Sequence, residues 1–178
     1  MKKIIIALAA VAAATIASAA SVNWTVTGVT APGTTTQTAG YMGYFFDEAT
    51  VSSATIAAAI ADGTFDSYTS QAIHSQASIA NGTIVKTGLG SYGASATTAD
   101  PEVRNFYTVL FDAGSYSAAE NYILTSDVTV TFTSASGAKP AAFTNITTSS
   151  SWTAIPEPTS GLLMLLGVAG LALRRRRA

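Results

Sequence analysis

The sequence predicts a mainly β fold: a single β-sandwich-like antiparallel domain with one short helix, flanked by an N-terminal signal helix and a C-terminal hydrophobic helix. Three observations carry this. Apolar and polar residues alternate with period two in "SVNWTVTGVT" and "DVTVTFTS", the mark of half-buried strands. Serine and threonine fill 41 of the 134 positions from 21 to 154, around runs of β-branched and aromatic residues bounded by Gly, Asp or Asn. All sixteen aromatic residues fall in the same stretch, bulk enough for one core in a domain of ordinary size. The chain therefore divides into 1–20, 21–154 and 155–178.

The first division opens with Lys2 and Lys3, continues as an uncharged apolar run from Ile4 to Ile16, and ends in small residues. That is the three-part pattern of a secretory signal peptide, with Ala17, Ala19 and Ala20 marking the cleavage region. Cleavage after Ala19 or after Ala20 both satisfy the pattern.

In the second division, Val22, Trp24 and Val26 face one way and Asn23, Thr25 and Thr27 the other, giving a first strand with one wet face. "AGYMGYFF" supplies a second strand. "SSATIAAAIADG" breaks the period: Ser52 or Ser53 can cap, Ile56 and Ile60 stand at i and i+4, and Gly63 stops the turn, so a helix over about 53–62 is expected to lay its isoleucine stripe on the sheet. "QAIHSQASIANG" reads equally as helix or strand. "GTIVKTG" is a strand, 88–100 a Gly-rich loop, and "VRNFYTVLFD" and "ENYILTSD" further strands. In "DVTVTFTS", Val128, Val130 and Phe132 oppose Thr129, Thr131 and Thr133. Cysteine is absent, so stability rests on packing and sheet hydrogen bonds.

Charge narrows the partners. The stretch 21–154 holds three basic groups against nine acidic ones, a net charge of −6, while the remaining basic residues sit at the two chain ends. Scattered carboxylates offer no footprint for nucleic acid. His74 is the only histidine, no Gly-x-Ser-x-Gly elbow accompanies it, and a triad or a metal site needs more than one such group. The acidic pairs Asp47-Glu48 and Asp100-Glu102 follow neither a calcium-hand loop nor a spacing that singles out two glycosidase carboxylates. No catalytic or metal-ligating residue is assigned and no cofactor is expected, although carboxylates in the loops of an exported β domain are compatible with a structural calcium ion. Trp24, Trp152 and the seven tyrosines are the residues on which a sugar could stack; Trp24 falls on the core side of its strand, whereas Trp152 lies beside the linker to the tail and is expected to be exposed.

The third division has three parts in order: Pro156-Glu157-Pro158, an apolar run from Leu162 to Leu173, and Arg174, Arg175, Arg176 and Arg177. As a helix the run is roughly 18 Å long at ~1.5 Å per residue, short against ~30 Å of hydrocarbon. Arginines extend the reach by snorkelling and are retained on the cytoplasmic side, which places the body outside. A glycosylphosphatidylinositol signal ends in its apolar tail with no basic stop. The two prolines push Ile155 and Glu157 toward extended conformations, so an exposed, unfolded segment is expected just outside the membrane.

This ordered tail resembles the PEP-CTERM sorting tail of exported bacterial proteins. The resemblance covers residues 155–178 and leaves the body unassigned. It implies recognition by an exosortase, an integral membrane cysteine transpeptidase that cleaves near Pro-Glu-Pro and passes the protein to the cell envelope or an extracellular polysaccharide matrix. The expected partners are thus an exosortase-like enzyme, the membrane through the C-terminal span before processing, and extracellular polysaccharide. The expected role of the body is structural or interactive rather than enzymatic, with a carbohydrate-binding module or small glycan-active hydrolase on the same tail as the alternative.

Overall fold

The computed structural model describes residues 19–34, 36, 40–79, 81–133, 137–143 and 152–156. The expected signal helix and C-terminal hydrophobic helix lie outside the described residues, as do Ala17, Glu157, Pro158 and the four arginines. Among the described residues no helix is long and apolar enough to cross a membrane.

Two sheets build the body. Strands β1 (Ala20–Val26), β4 (Ile84–Tyr92) and β8 (Ala138–Phe143) form a three-stranded sheet in the order β4-β1-β8. Strands β2 (Tyr41–Asp47), β3 (His74–Ile79), β5 (Glu102–Phe111), β6 (Asn121–Leu124) and β9 (Thr153–Ala154) follow the order β3-β2-β5-β6-β9, with β7 (Val128–Phe132) also pairing β5. The fold is mainly β, as the alternating patterns predict. One pair departs from the expected antiparallel arrangement: β1 runs parallel to β8, from Ser21 opposite Ala138 to Val26 opposite Phe143. The strands are far apart in sequence, and a long connection is what a parallel pair needs.

The apolar face of β1 explains the interior between the sheets. Val22, Trp24 and Val26 are fully buried there with Phe45, Phe106, Leu110 and Phe132. Trp24 stacks on Phe45 at 5.4 Å between ring centroids, and its indole N–H donates to Thr108 Oγ1 at 2.9 Å, so the one polar atom of the ring is satisfied. Gly43 is the gap that admits this ring: a Cβ there would lie 2.8 Å from Ile84 Cδ1 and 3.2 Å from the indole.

The larger sheet is buried on its other face as well. Helix α1 (Ser53–Ala61) starts where Ser52 accepts a hydrogen bond from the Thr55 N–H and covers a second core with Ile56 and Ile60, as the isoleucine spacing predicts. The 3-10 turn Phe65–Gln71 adds Phe65, packed edge-on against Phe111 at 4.8 Å. Tyr44, Phe46, Tyr107 and Val109 complete this cluster, and the Tyr107 hydroxyl donates to Val51 O at 2.8 Å. With Trp24, Phe45 and Phe106 on one side of β2 and β5 and Tyr44, Phe46 and Tyr107 on the other, both strands read as near-continuous apolar runs.

Asn81 and Gly82 carry the chain from β3 in one sheet to β4 in the other, with φ of 51° and 61°. Gly82 O accepts the Val29 N–H at 3.1 Å, and a Cβ on Gly82 would collide with the Val29 carbonyl oxygen. Gly82→Ala is therefore expected to destabilise the domain by about 1–3 kcal/mol, read as a lower urea midpoint with an unchanged denaturant slope.

The stretch 88–92, expected as loop, is instead the end of β4, and the loop begins at Gly93. Gly88 and Gly90 hold φ of 73° and 66°, and the β1–β4 register shifts twice between Ala20 and Trp24. Glycine at positive φ lets a strand bulge and continue. The ambiguous segment around His74 is the strand β3.

Candidate functional site

The site that the sequence singles out is the junction between body and tail, and the structure places its first residues inside the fold. Asp112 begins the arrangement. One carboxylate oxygen accepts the N–H groups of Glu120 and Asn121, each at 3.0 Å, and the other accepts the Asn121 side-chain amide at 2.7 Å. These bonds close the loop 112–121 and fix the start of β6. Strand β9 then pairs with β6, Ala154 opposite Asn121 and Thr153 opposite Tyr122, and the Ile155 N–H donates to Glu120 O at 2.8 Å.

Side chains fasten the same segment to both cores. Trp152 meets Tyr41 edge-on at 5.4 Å and donates its indole N–H to Thr30 O at 2.8 Å, packing against the core between the sheets. Ile155 packs against the second core. Two expectations are corrected here. Trp152 is half-buried rather than exposed, because its ring has an aromatic partner and its N–H a carbonyl. Ile155 is docked rather than part of an unfolded linker, because β6 offers it a free edge. Pro156 is exposed at the mouth of a cleft lined by Asp66, Tyr116, Ser117 and Ile155.

At the other end, Ala19 precedes the first strand, and Ala20 opens β1 with 1% of its surface exposed, opposite Tyr92. The two ends of the body are thus both strand residues tied into the fold.

The remaining candidates are accounted for by internal contacts. His74 opens β3 opposite Phe45 of β2 and sits edge-on to Trp24 at 6.0 Å; burial first, and then Lys86, lowers its pKa. Asp47, buried, accepts the Ala49 N–H at 2.9 Å and faces Arg104 at 3.5 Å. Glu102 accepts from Arg104 Nε at 2.8 Å and from the Gly93 N–H at 2.7 Å. Among the described residues no three of His, Asp and Glu converge as a metal site. Trp24 is fully buried, and Trp152 is half-buried, as are Tyr68, Tyr116 and Tyr122.

The Glu102 contacts have a pH consequence. The Arg104 hydrogen bond, then the Gly93 N–H, hold its carboxyl below the ordinary value of 4.5. A carboxyl lowered by folding contributes stability that is complete above its unfolded value and is lost as pH falls through the folded one. Glu102→Gln is expected to flatten the loss of stability below about pH 4.5, as urea midpoints across a pH series would reveal.

Comparison with known proteins bears on the tail alone. Residues 154–177 match the family model of the PEP-CTERM protein-sorting motif, one residue earlier at the start than the resemblance in the sequence. No curated protein and no solved structure matches the chain. The match begins at Ala154, within β9, so motif and fold share residues. The chain carries a PEP-CTERM protein-sorting motif, the signal of an exported protein sorted by an exosortase-like membrane enzyme.

Proposed function

We propose that the body is a structural or interaction domain, without catalytic activity of its own, delivered by its tail to the cell envelope or the extracellular matrix. In this reading the leader is removed between Ala19 and Ala20. A cut one residue later would remove a core side chain, since Ala20 lies buried at the start of β1. The tail then spans the membrane with the body outside and Arg174 to Arg177 inside, offers Pro156, Glu157 and Pro158 to the enzyme, and is cut away.

The observation that carries the proposal is the matched sorting motif on a body several of whose carboxylates are engaged by the fold itself. The carboxylates of Asp47, Glu102 and Asp112 accept hydrogen bonds from backbone N–H groups. Groups held this way brace loops and strand ends.

The test uses the mature protein recovered from cell envelope and medium, with tryptophan fluorescence read across a panel of polysaccharides. No change in emission, together with recovery in the envelope or matrix, is the expected result. A saturable change would favour the carbohydrate-binding alternative, and glycan turnover would favour the hydrolase. Deleting residues 155–178 is expected to abolish envelope recovery without altering that fluorescence result.

A further inference from the structure

The small sheet and the helix layer, made of α1 and the Phe65–Gln71 turn, are the outer walls of the two cores, and charge divides between them. None of β1, β4 and β8 contains Asp or Glu, yet these strands hold Lys86 and Lys139, two of the three basic residues of 21–154. The helix layer is the reverse. Asp62 and Asp66 stand exposed on it, and no Lys or Arg occurs from 48 to 73. We infer that the outer face of the small sheet docks on the acidic helix layer of a second copy, so that bodies stack head to tail. The inference rests on the reading of the body as an interaction domain.

The sheet face is suited to such a contact. Facing away from the core, Asn23 and Thr25 of β1 are flanked by Val85 on β4 and by Ala138, Pro140 and Ala142 on β8. These side chains are short and uncharged; Val85 keeps 61% of its surface exposed, and the three β8 residues are exposed. The face can therefore be covered without burying a charge. Lys86 and Lys139 lie half-buried on the two edge strands, opposite Trp24 and Val22. A lysine placed there lays its stem along the core edge and brings its ammonium to the rim. Among the described residues neither lysine makes an ion pair, and neither do Asp62 and Asp66. The strand edges themselves are blunted against pairing, β4 by Gly88 and Gly90 at positive φ and β8 by Pro140. That leaves the face as the contact.

Charge complementarity selects a second copy as the occupant. With a net charge of −6 on 21–154, most approaches of two bodies are repulsive, whereas head to tail brings the two lysines of one onto the carboxylates of the next. The two surfaces are different patches on opposite sides of the body, so the contact is heterologous and continues as a row instead of closing on a pair. Three strands of about six residues present roughly 14 Å by 20 Å, so one contact buries on the order of 600 Å², about half of what a stable pair needs. Single contacts are therefore weak, and rows form where copies are concentrated, as on an envelope or in a matrix.

Sedimentation of the mature protein over a concentration series is the test. At ~0.01 M salt, where charges act over ~30 Å, the weight-average mass should climb past twice the monomer without levelling, and at ~1 M salt it should return to the monomer. Lys86→Glu with Lys139→Glu, and separately Asp62→Lys with Asp66→Lys, should each stay monomeric. An equal mixture of the two variants should associate again, because each supplies the charge that the other has lost; that rescue also shows both to be folded. A wild type that is monomeric throughout, a mass that levels at the dimer, association indifferent to the substitutions, or a mixture that stays monomeric overturns the inference. A monomeric wild type that binds alginate, with binding lost in the Lys86→Glu, Lys139→Glu variant, also overturns it and assigns the face to an acidic polysaccharide. Monomers that still reach the envelope overturn stacking alone, whereas glycan turnover by the mature protein would overturn the proposed function whether or not copies stack.

Discussion

Trp24→Ala is expected to lower the stability of the mature domain by about 3–5 kcal/mol. The indole is fully buried, stacked on Phe45, edge-on to His74, and fitted over Gly43. Truncation opens a cavity between the two sheets that the surrounding β1 and β2 backbone cannot close without breaking ladder hydrogen bonds. It also strips Thr108 Oγ1 of the donor 2.9 Å away, in a site with no exposure to water. Natural domains hold only ~5–15 kcal/mol in all, so this single change removes a large share. The measurement is the urea midpoint of the purified protein. Trp24→Phe, which keeps the ring packing and loses the hydrogen bond, should fall between wild type and Trp24→Ala.

Replacing Arg174, Arg175, Arg176 and Arg177 with glutamine is expected to move the protein from the processed pool into the medium with its tail attached. The run from Leu162 to Leu173 is too short to hold a membrane position unaided. Each arginine drawn into the hydrocarbon costs about 2.5–3.5 kcal/mol on insertion scales, so four together make a strong stop. Glutamine keeps length and hydrogen-bonding capacity while removing that stop. Immunoblotting of membrane, envelope and medium fractions checks it. Retention and normal trimming of the variant would mean that the arginines are read by another route.

Where local pattern and tertiary position agree, the fold was legible in advance. β1 and β7 alternate because each has one face against Phe45 and Phe106 and one toward solvent, and α1 shows its cap and isoleucine stripe because both act within a few residues. β8 escaped because "AKPAAF" has a proline at its centre; it is tolerated because β8 ends its sheet order, with Pro140 exposed beside Asn23 of β1. The end of β4 escaped because Gly88 and Gly90 signal a loop, while here they form bulges. β9 is two residues long and has no pattern to read; contacts with β6, Tyr41 and Thr30, all remote in sequence, create it.

The sorting motif was legible for the opposite reason. Its parts are local and ordered, and they act on the chain as a linear signal rather than through packing. What the sequence could not convey is that the signal has no spacer before it, since the linker expected around Trp152 is a docked strand. The hydrogen bonds that Asp112 accepts, which prepare its docking edge, join residues 112 and 121 across a loop whose sequence, "DAGSYSAAEN", announces only a turn.

In the proposed function the C-terminal tail is a processed address rather than a permanent part of the protein. Intact mass of the mature protein, measured from a host with an exosortase and from the same host lacking that enzyme, tests this most directly. Residues 1–19 are expected to be missing in both, and the arginine cluster only where the enzyme is present. Equal masses that retain Arg174 to Arg177 in both hosts would contradict it.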